Sequence, residues 1–187
     1  QARVLEQTSI EAKALINRDI DTTVDSGLVC APEPKYETLG ITAEAAEEWA
    51  SKTAEAFDLW AQSKCASRSG MYNFYQGQRL MRHYRARDNE CFNRHYYSQD
   101  PSLISPLQFE IIDPDQIRGD AFTLTSGQFF QDDGIERDSM GQESAYKIWY
   151  QVPGTMRTEQ RTIPRVGPKS GRVFMTQIGR ASCRERV

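Results

Sequence analysis

Any catalytic or metal chemistry in this chain must come from two histidines, four cysteines and a few close carboxylate pairs. Cys91 and His95 are four residues apart, a spacing that on a helix would offer two zinc ligands from one face. The text around them alternates like a strand, which leaves both side chains on one face but about 13 Å apart. No further ligand is evident, so packing is the expected role. Asp19/Asp21, Asp113/Asp115 and Asp132/Asp133 are pairs of the kind that hold magnesium or share a proton. Each falls at an expected turn or helix end, where Asp serves local hydrogen bonding. Gly167-Pro168-Lys169-Ser170 comes nearest to a phosphate-binding loop, but it has no glycine five residues before Gly167 and has Pro168 where the pattern needs its lysine step. The sequences G-x-G-x-x-G, G-x-S-x-G and H-E-x-x-H do not occur. The remaining candidate is a run of arginines, Arg79, Arg82, Arg85 and Arg87, with His83, interleaved with Tyr72, Tyr75 and Tyr84. Such a face could grip a nucleic-acid backbone or meet an acidic face, such as Glu44/Glu48/Glu55, on a neighbouring subunit. The plainer reading, favoured by the residues alone, packs the tyrosines inward and leaves the arginines at a helix C-terminus, where the dipole favours cations.

The elements that must position these residues read as helices first and strands later. Val4, Leu5, Ile10, Ala14 and Leu15 give residues 2–17 a loose helical pattern. Asp25-Ser26-Gly27 breaks the chain, and Leu28-Val29-Cys30 is a short strand candidate before Pro32 and Pro34. The strongest signal is a helix over 42–63. Thr42 is suited to the N-cap and Glu44, Glu47 and Glu48 to the first turns. Ala46, Trp49, Ala50, Thr53, Phe57, Trp60 and Ala61 form its apolar stripe. A short connection leads to a second helix over about 71–86, with Met71, Phe74, Tyr75, Met81 and Tyr84 on one face, and predicts antiparallel packing of the pair. The period then changes to 2. Residues 91–97 and 107–112 are strand candidates, Phe129-Phe130 continues the sheet, and 134–137 with 145–150 form a hairpin whose turn uses Gly141. Residues 153–172, rich in Pro, Gly, Arg and Thr, predict an extended arm or loop. The fold class is α+β.

The chain has 187 residues, with 23 basic and 26 acidic side chains and a formal net charge of -3. This charge does not favour general nucleic-acid binding. No apolar run approaches the roughly 18 residues that span a bilayer. Residues 178–187 read IGRASCRERV, which resembles the conceptual translation of a sequencing adapter and is expected to be non-native. Setting aside Arg180, Arg184, Arg186 and Glu185 leaves 20 basic against 25 acidic residues, a net of -5. It also removes Cys183. Cys30, Cys65 and Cys91 then remain, with spacings of 35 and 26 and no C-x-x-C. They read as free buried thiols rather than a disulfide framework or a zinc site.

The ordered segments resemble the lambda-family phage portal protein. Asp25-Ser26-Gly27-Leu28 with Ala31-Pro32 is similar to a "GSGL…P" passage. Leu39-Gly40-Ile41 leads into Trp49…Phe57-Asp58-Leu59-Trp60-Ala61, similar to the family's long acidic helix, and Phe74-Tyr75-Gln76-Gly77-Gln78 to the start of its next one. Residues 107–117, LQFEIIDPDQI, resemble its strand and turn, and Gly134-Ile135-Glu136-Arg137-Asp138…Gly141…Ala145-Tyr146 its hairpin. Two departures are local: Lys64-Cys65-Ala66-Ser67 replaces a frequent Cys-Asp, and Gly141-Gln142 stands where Gly-Arg is usual.

The resemblance implies a non-enzymatic subunit without cofactor or metal. Its setting would be a ring, usually of twelve copies, at one vertex of the phage capsid in the virion, assembled in the bacterial cytoplasm. The ring would be the conduit for double-stranded DNA in packaging and ejection. Its implied partners are the terminase large subunit, the major capsid protein and head-completion and tail proteins. Residues 1–177 would be wing region, mainly helical over 1–87, mainly β over 88–152 and an extended arm over 153–177. Arg79, Arg82, Arg85 and Arg87 are then candidates for subunit or DNA contact. A negative balance suits a wall along which DNA slides, because each neutralised phosphate adds affinity. Two other readings are a nucleic-acid-binding module using the arginine helix, and the non-catalytic part of a larger portal-protease fusion.

Overall fold

The structure is a computed structural model that describes residues 2–119, 130–132 and 134–179. Helices α1 (Ala2–Thr8), α2 (Ile10–Val24), α3 (Tyr36–Leu39), α4 (Ala43–Gln62) and α5 (Phe74–Asp88) come first. Strands β1 (Cys91–Tyr97), β2 (Leu107–Ile112), β3 (Phe130–Asp132), β4 (Ile135–Arg137), β5 (Glu143–Gln151), β6 (Thr158–Pro164) and β7 (Met175–Ile178) follow. The strands form two antiparallel sheets, one in the order β2-β1-β7 and one in the order β3-β4-β5-β6. The class is α+β, as expected.

The N-terminal helical text divides in two. Ser9 takes extended dihedrals between α1 and α2, and its hydroxyl accepts from Ala12 N–H at 3.2 Å, so it caps the second helix. Helix α2 runs on to Val24, seven residues past the expected end. It stops where Asp25 (φ 45°) and Gly27 (φ 98°) turn left-handed. Leu28-Val29-Cys30 is not a strand. Leu28 N–H donates to the Gln78 side chain on α5 at 2.8 Å, so a helix side chain takes the place of a sheet edge.

Helix α4 is capped by Thr42, whose hydroxyl accepts from Ala45 N–H. Its buried stripe is shorter than the periodicity predicts. Ala46, Trp60 and Ala61 are buried, while Trp49 is 54% exposed. The large buried side chain of α4 is in its C-terminal turns, and near its start burial is limited to the small Ala46, which leaves the first indole exposed. There Trp60 packs with Phe57, Phe74 and Phe109 at centroid distances of 5.2–6.3 Å, and its indole N–H donates to Leu107 O at 2.9 Å. Asn73 and Gln76 form a capping box that starts α5, so Met71 precedes the helix and is exposed. The chief helical partner of α5 is α2.

The second core lies between the sheets. Phe92, Ile112 and Met175 of the first sheet meet Ile135, Tyr146 and Ile148 of the second, with Ile117 between them. Phe92 and Tyr146 stack edge to face at 5.8 Å. The β4–β5 hairpin has the expected turn, with Gly141 at φ 78° and Asp138 Oδ1 accepting from Met140 and Gln142 N–H. Phe130 opens β3, whereas Phe129 lies outside the described residues. Residues 153–177 are extended but paired: β6 lies along β5 over seven residues, and β7 along β1.

Gly77 marks the closest approach of helix to sheet. A Cβ there would stand 2.6 Å from Phe109 Cε2 and 2.8 Å from its Cζ. Phe109 is buried, with the rings of Trp60, Tyr72 and Phe74 at 5.7–6.3 Å, which restricts its movement. Gly77→Ala should therefore lower stability by about 1–3 kcal/mol, although alanine favours an exposed helix by about 1 kcal/mol. Urea unfolding of the two proteins measures the sign.

Candidate functional site

The side chains singled out in the sequence converge on α5, and the structure supplies most of them with partners in the same chain. Arg82 makes a two-pronged contact to Asp19 of α2, Nε to Oδ2 at 2.7 Å and Nη2 to Oδ1 at 2.5 Å. Arg79 pairs with Asp21, two residues further along α2. The arginines are three apart on α5, so two neighbouring ion pairs clamp the two helices together. The Arg82 hydrogen bonds hold the Asp19 carboxyl below the usual carboxylate range. Asp19/Asp21 is therefore an interhelical ion-pair set rather than a local capping pair.

Arg87 enters a denser junction. It donates to Asp88 Oδ2 at 2.7 and 3.0 Å, lies 3.7 Å from Glu6 and 3.6 Å from Asp113, and its guanidinium stands 4.9 Å from the Tyr84 ring centroid. Arg3 of α1 reaches the same point, donating to Asp88 at 2.8 and 2.9 Å and to Asp113 at 2.8 Å, and pairs with Asp115. His83 Nε2 is 3.1 Å from Glu6 Oε1. One cluster of alternating charge thus joins α1, α5 and the turn after β2. Burial pushes the Asp88 carboxyl up, but the hydrogen bonds from Arg87 and Arg3 outweigh it and the net shift is down. Asp113 also caps its own turn, accepting from Asp115 N–H at 2.9 Å, which is the local role expected of that pair. Asp133 lies outside the described residues.

Arg85 differs from its three neighbours. It is exposed, and among the described residues it forms no ion pair. The tyrosines are not a stacking platform beside it. The Tyr72 hydroxyl reaches the sheet, accepting from Ile111 N–H at 3.2 Å, and Tyr75 donates to Asp58.

The other candidates are structural. Cys91 is fully buried, and burial pushes its thiol up to about 11, far from a reactive thiolate. Its four-residue neighbour His95 is bonded to Thr176 Oγ1 at 3.0 Å. Among the described residues no three His, Cys, Asp or Glu side chains converge as a metal site. Cys30 is half-buried and Cys65 exposed, so burial of all three thiols does not hold. Gly167-Pro168-Lys169-Ser170 is a turn closed by Gly167 N–H to Arg172 O at 2.8 Å and leads to a strand, not to a phosphate-binding helix. No helix among the described residues is long and apolar enough to cross a membrane. The sequence reading gave Asp19 and Asp21 a local role and missed Arg3 and Glu6 of α1, whose partners lie 77 residues or more away in the chain.

This arrangement holds helices against a sheet through ion pairs and ring packing. A protein-family model described as phage portal protein, lambda family, matches residues 1–178. The chain belongs to the lambda family of phage portal proteins, a structural and non-catalytic class whose members form oligomeric rings. A comparison with curated proteins gives no match.

The Asp88 junction makes two measurable demands. Arg87 and Asp88 side chains are only 14% and 12% exposed, so Asp88→Ala, which removes the carboxylate that Arg87 and Arg3 share, should cost about 2 kcal/mol. Removing the more exposed Arg79–Asp21 pair should cost less than about 1 kcal/mol. Thermal melts of both variants test the order. Asp88 and Asp19 have depressed folded-state values. Their contribution is therefore present above the unfolded carboxylate range, about pH 4, and is lost as pH falls through the folded values. Helical circular dichroism should weaken on acidification below about pH 4, and Asp88→Ala should flatten that transition.

Proposed function

We propose that the chain is a wing-region portion of a portal subunit, set in a closed ring at one vertex of the phage capsid. In that setting it helps form the conduit through which double-stranded DNA enters and leaves, and the platform on which head and tail are joined. The match of the lambda-family portal model across residues 1–178 carries the reading. The partners that go with it are further copies of the chain, usually twelve in all, the terminase large subunit, the major capsid protein and head-completion and tail proteins. The location is the virion, after assembly in the bacterial cytoplasm.

Two features support a passive role. The chemistry-bearing residues of the described chain are occupied in packing or ion pairs. The 20:25 balance of basic to acidic residues outside 178–187 keeps phosphate affinity low, as sliding DNA requires. Of the four arginines, Arg79, Arg82 and Arg87 are engaged within the subunit, and Arg85 is the one left for an outside contact.

Sedimentation of the complete portal polypeptide tests the reading. One discrete high-order oligomer is expected, and a monomer at every concentration would reject it. Arg85→Glu should weaken the oligomer without lowering the melting temperature, whereas Arg82→Glu should lower both. Unchanged assembly with Arg85→Glu would discard that residue as a contact.

A further inference from the structure

The two most strongly charged faces of the molecule are opposite in sign and lie on opposite sides of one sheet. Helix α4 carries five acidic residues, Glu44, Glu47, Glu48, Glu55 and Asp58, against Lys52 alone. All five are exposed, and the sole ion pair among them is Glu48–Lys52 at 2.6 Å. Residues 157–172, which comprise β6 and the following turn, reverse this composition. They carry Arg157, Arg161, Arg165, Lys169 and Arg172 against Glu159 alone. All five cations are exposed, and Arg161–Glu159 is their one ion pair among the described residues. The contrast with α5 is sharp, since there three of four arginines find carboxylates at home.

Position matters as much as sign. Helix α4 and the turn after it are fixed at the β2 edge of the β2-β1-β7 sheet, by Trp60 Nε1 to Leu107 O at 2.9 Å and Arg68 N to Phe109 O at 2.8 Å. The basic segment is fixed beyond the other edge. Phe174 N donates to Arg165 O at 2.8 Å, and Phe174 O accepts from His95 N at 2.9 Å, in line with β7. A ring is closed by head-to-tail contacts, in which two different faces of each subunit meet. Faces of opposite charge on opposite flanks meet that requirement, and like charges oppose pairing of a face with itself.

Each face also offers apolar surface among its charges. Trp49 and Leu59 project from α4, and Met156, Val166 and Val173 from the basic segment and its margins. Leu59 follows Glu55 by four residues on the acidic face of α4, and apolar surface set among charges is the composition of a protein contact. Strand β6 is moreover the outer strand of its sheet, its edge guarded by arginines and Pro164 rather than by another strand.

We propose that the acidic face of α4 on one subunit docks on the basic β6–β7 segment of the next copy. Leu59 supplies apolar contact beside the carboxylates, and Arg165, Lys169 and Arg172 the charge. The proposal rests on the ring reading above and assigns its surfaces.

The test uses the complete portal polypeptide with two charge reversals, Glu44→Lys with Glu55→Lys on α4, and Arg165→Glu with Lys169→Glu on the basic segment. All four side chains are exposed, and melting temperatures check that each variant is folded. Either reversal alone should raise the half-assembly concentration about tenfold or more, and mixing the two variants, or combining all four changes, should restore assembly. Added salt should weaken the wild-type ring. Loss without restoration would show that the faces do not meet and would overturn the proposal. Wild-type assembly by both variants would overturn it while leaving the ring intact. Normal assembly with lost salt-dependent duplex binding by Arg165→Glu/Lys169→Glu would likewise overturn it and give the segment to DNA. A wild-type monomer would sink the ring reading itself.

Discussion

Helix α5 can lie where it does only because its cations meet carboxylates at close range. Gly77 and Gln78 are its buried residues, so it has little apolar surface with which to hold itself. Its N-terminal turns are gripped by rings, with Phe74 against Trp60, Phe57 and Phe109. Its C-terminal half is gripped by charge, through Asp19, Asp21, Glu6 and Asp88. Arg3 extends the second grip to the sheet by sharing Asp88 with Arg87 and reaching Asp113. Because α1 and α2 have almost no buried side chain of their own, Ile20 excepted, their position follows from that charge network.

The division has a physical logic. Exposed ion pairs are weak one at a time, at about 0–1 kcal/mol each. The half-buried junction at Asp88 is different: Asp88 and Asp113 are each shared by Arg3 and Arg87, and each guanidinium presents a fixed fork of donors. Such a junction fixes orientation more than it adds stability, since desolvation offsets much of the attraction. It sets the angle at which the N-terminal helices leave the sheets.

Much of this was legible in the sequence, and the failures are specific. Thr42, the Asp113 turn and the Gly141 turn are local devices, and local text reports them; the Asn73 cap is equally local, but the periodicity starts the helix at 71, ahead of it. The hairpin and the strands at 91–97 and 107–112 follow from alternation. Trp49 was misplaced because periodicity identifies a stripe but not how far a partner runs along it. Leu28-Val29-Cys30 looked like a strand because an apolar triplet does not reveal whether a sheet edge is near; the nearest partner was Gln78. The ionic half of the site was hidden for a stronger reason. Arg82 and Asp19 are 63 residues apart, and Arg3 and Asp113 are 110 apart. No spacing rule joins them until the fold has done so.

The same pairing explains why the arginine helix, the most conspicuous basic text in the sequence, is a poor guide to outside contacts. A cation that has met a carboxylate in its own subunit has spent its attraction there, and recruiting it elsewhere means stranding the partner. Among the described residues, the cations without an ion pair in the subunit include Arg85 on α5, and Arg157, Arg165, Lys169 and Arg172 around β6 and β7. Net charge conceals this separation, since a balance of -3 averages an acidic flank and a basic flank into near neutrality. A subunit that must recognise its own copies in one orientation needs that asymmetry rather than a large total, because complementary flanks fix direction around the ring while leaving little field to hold DNA.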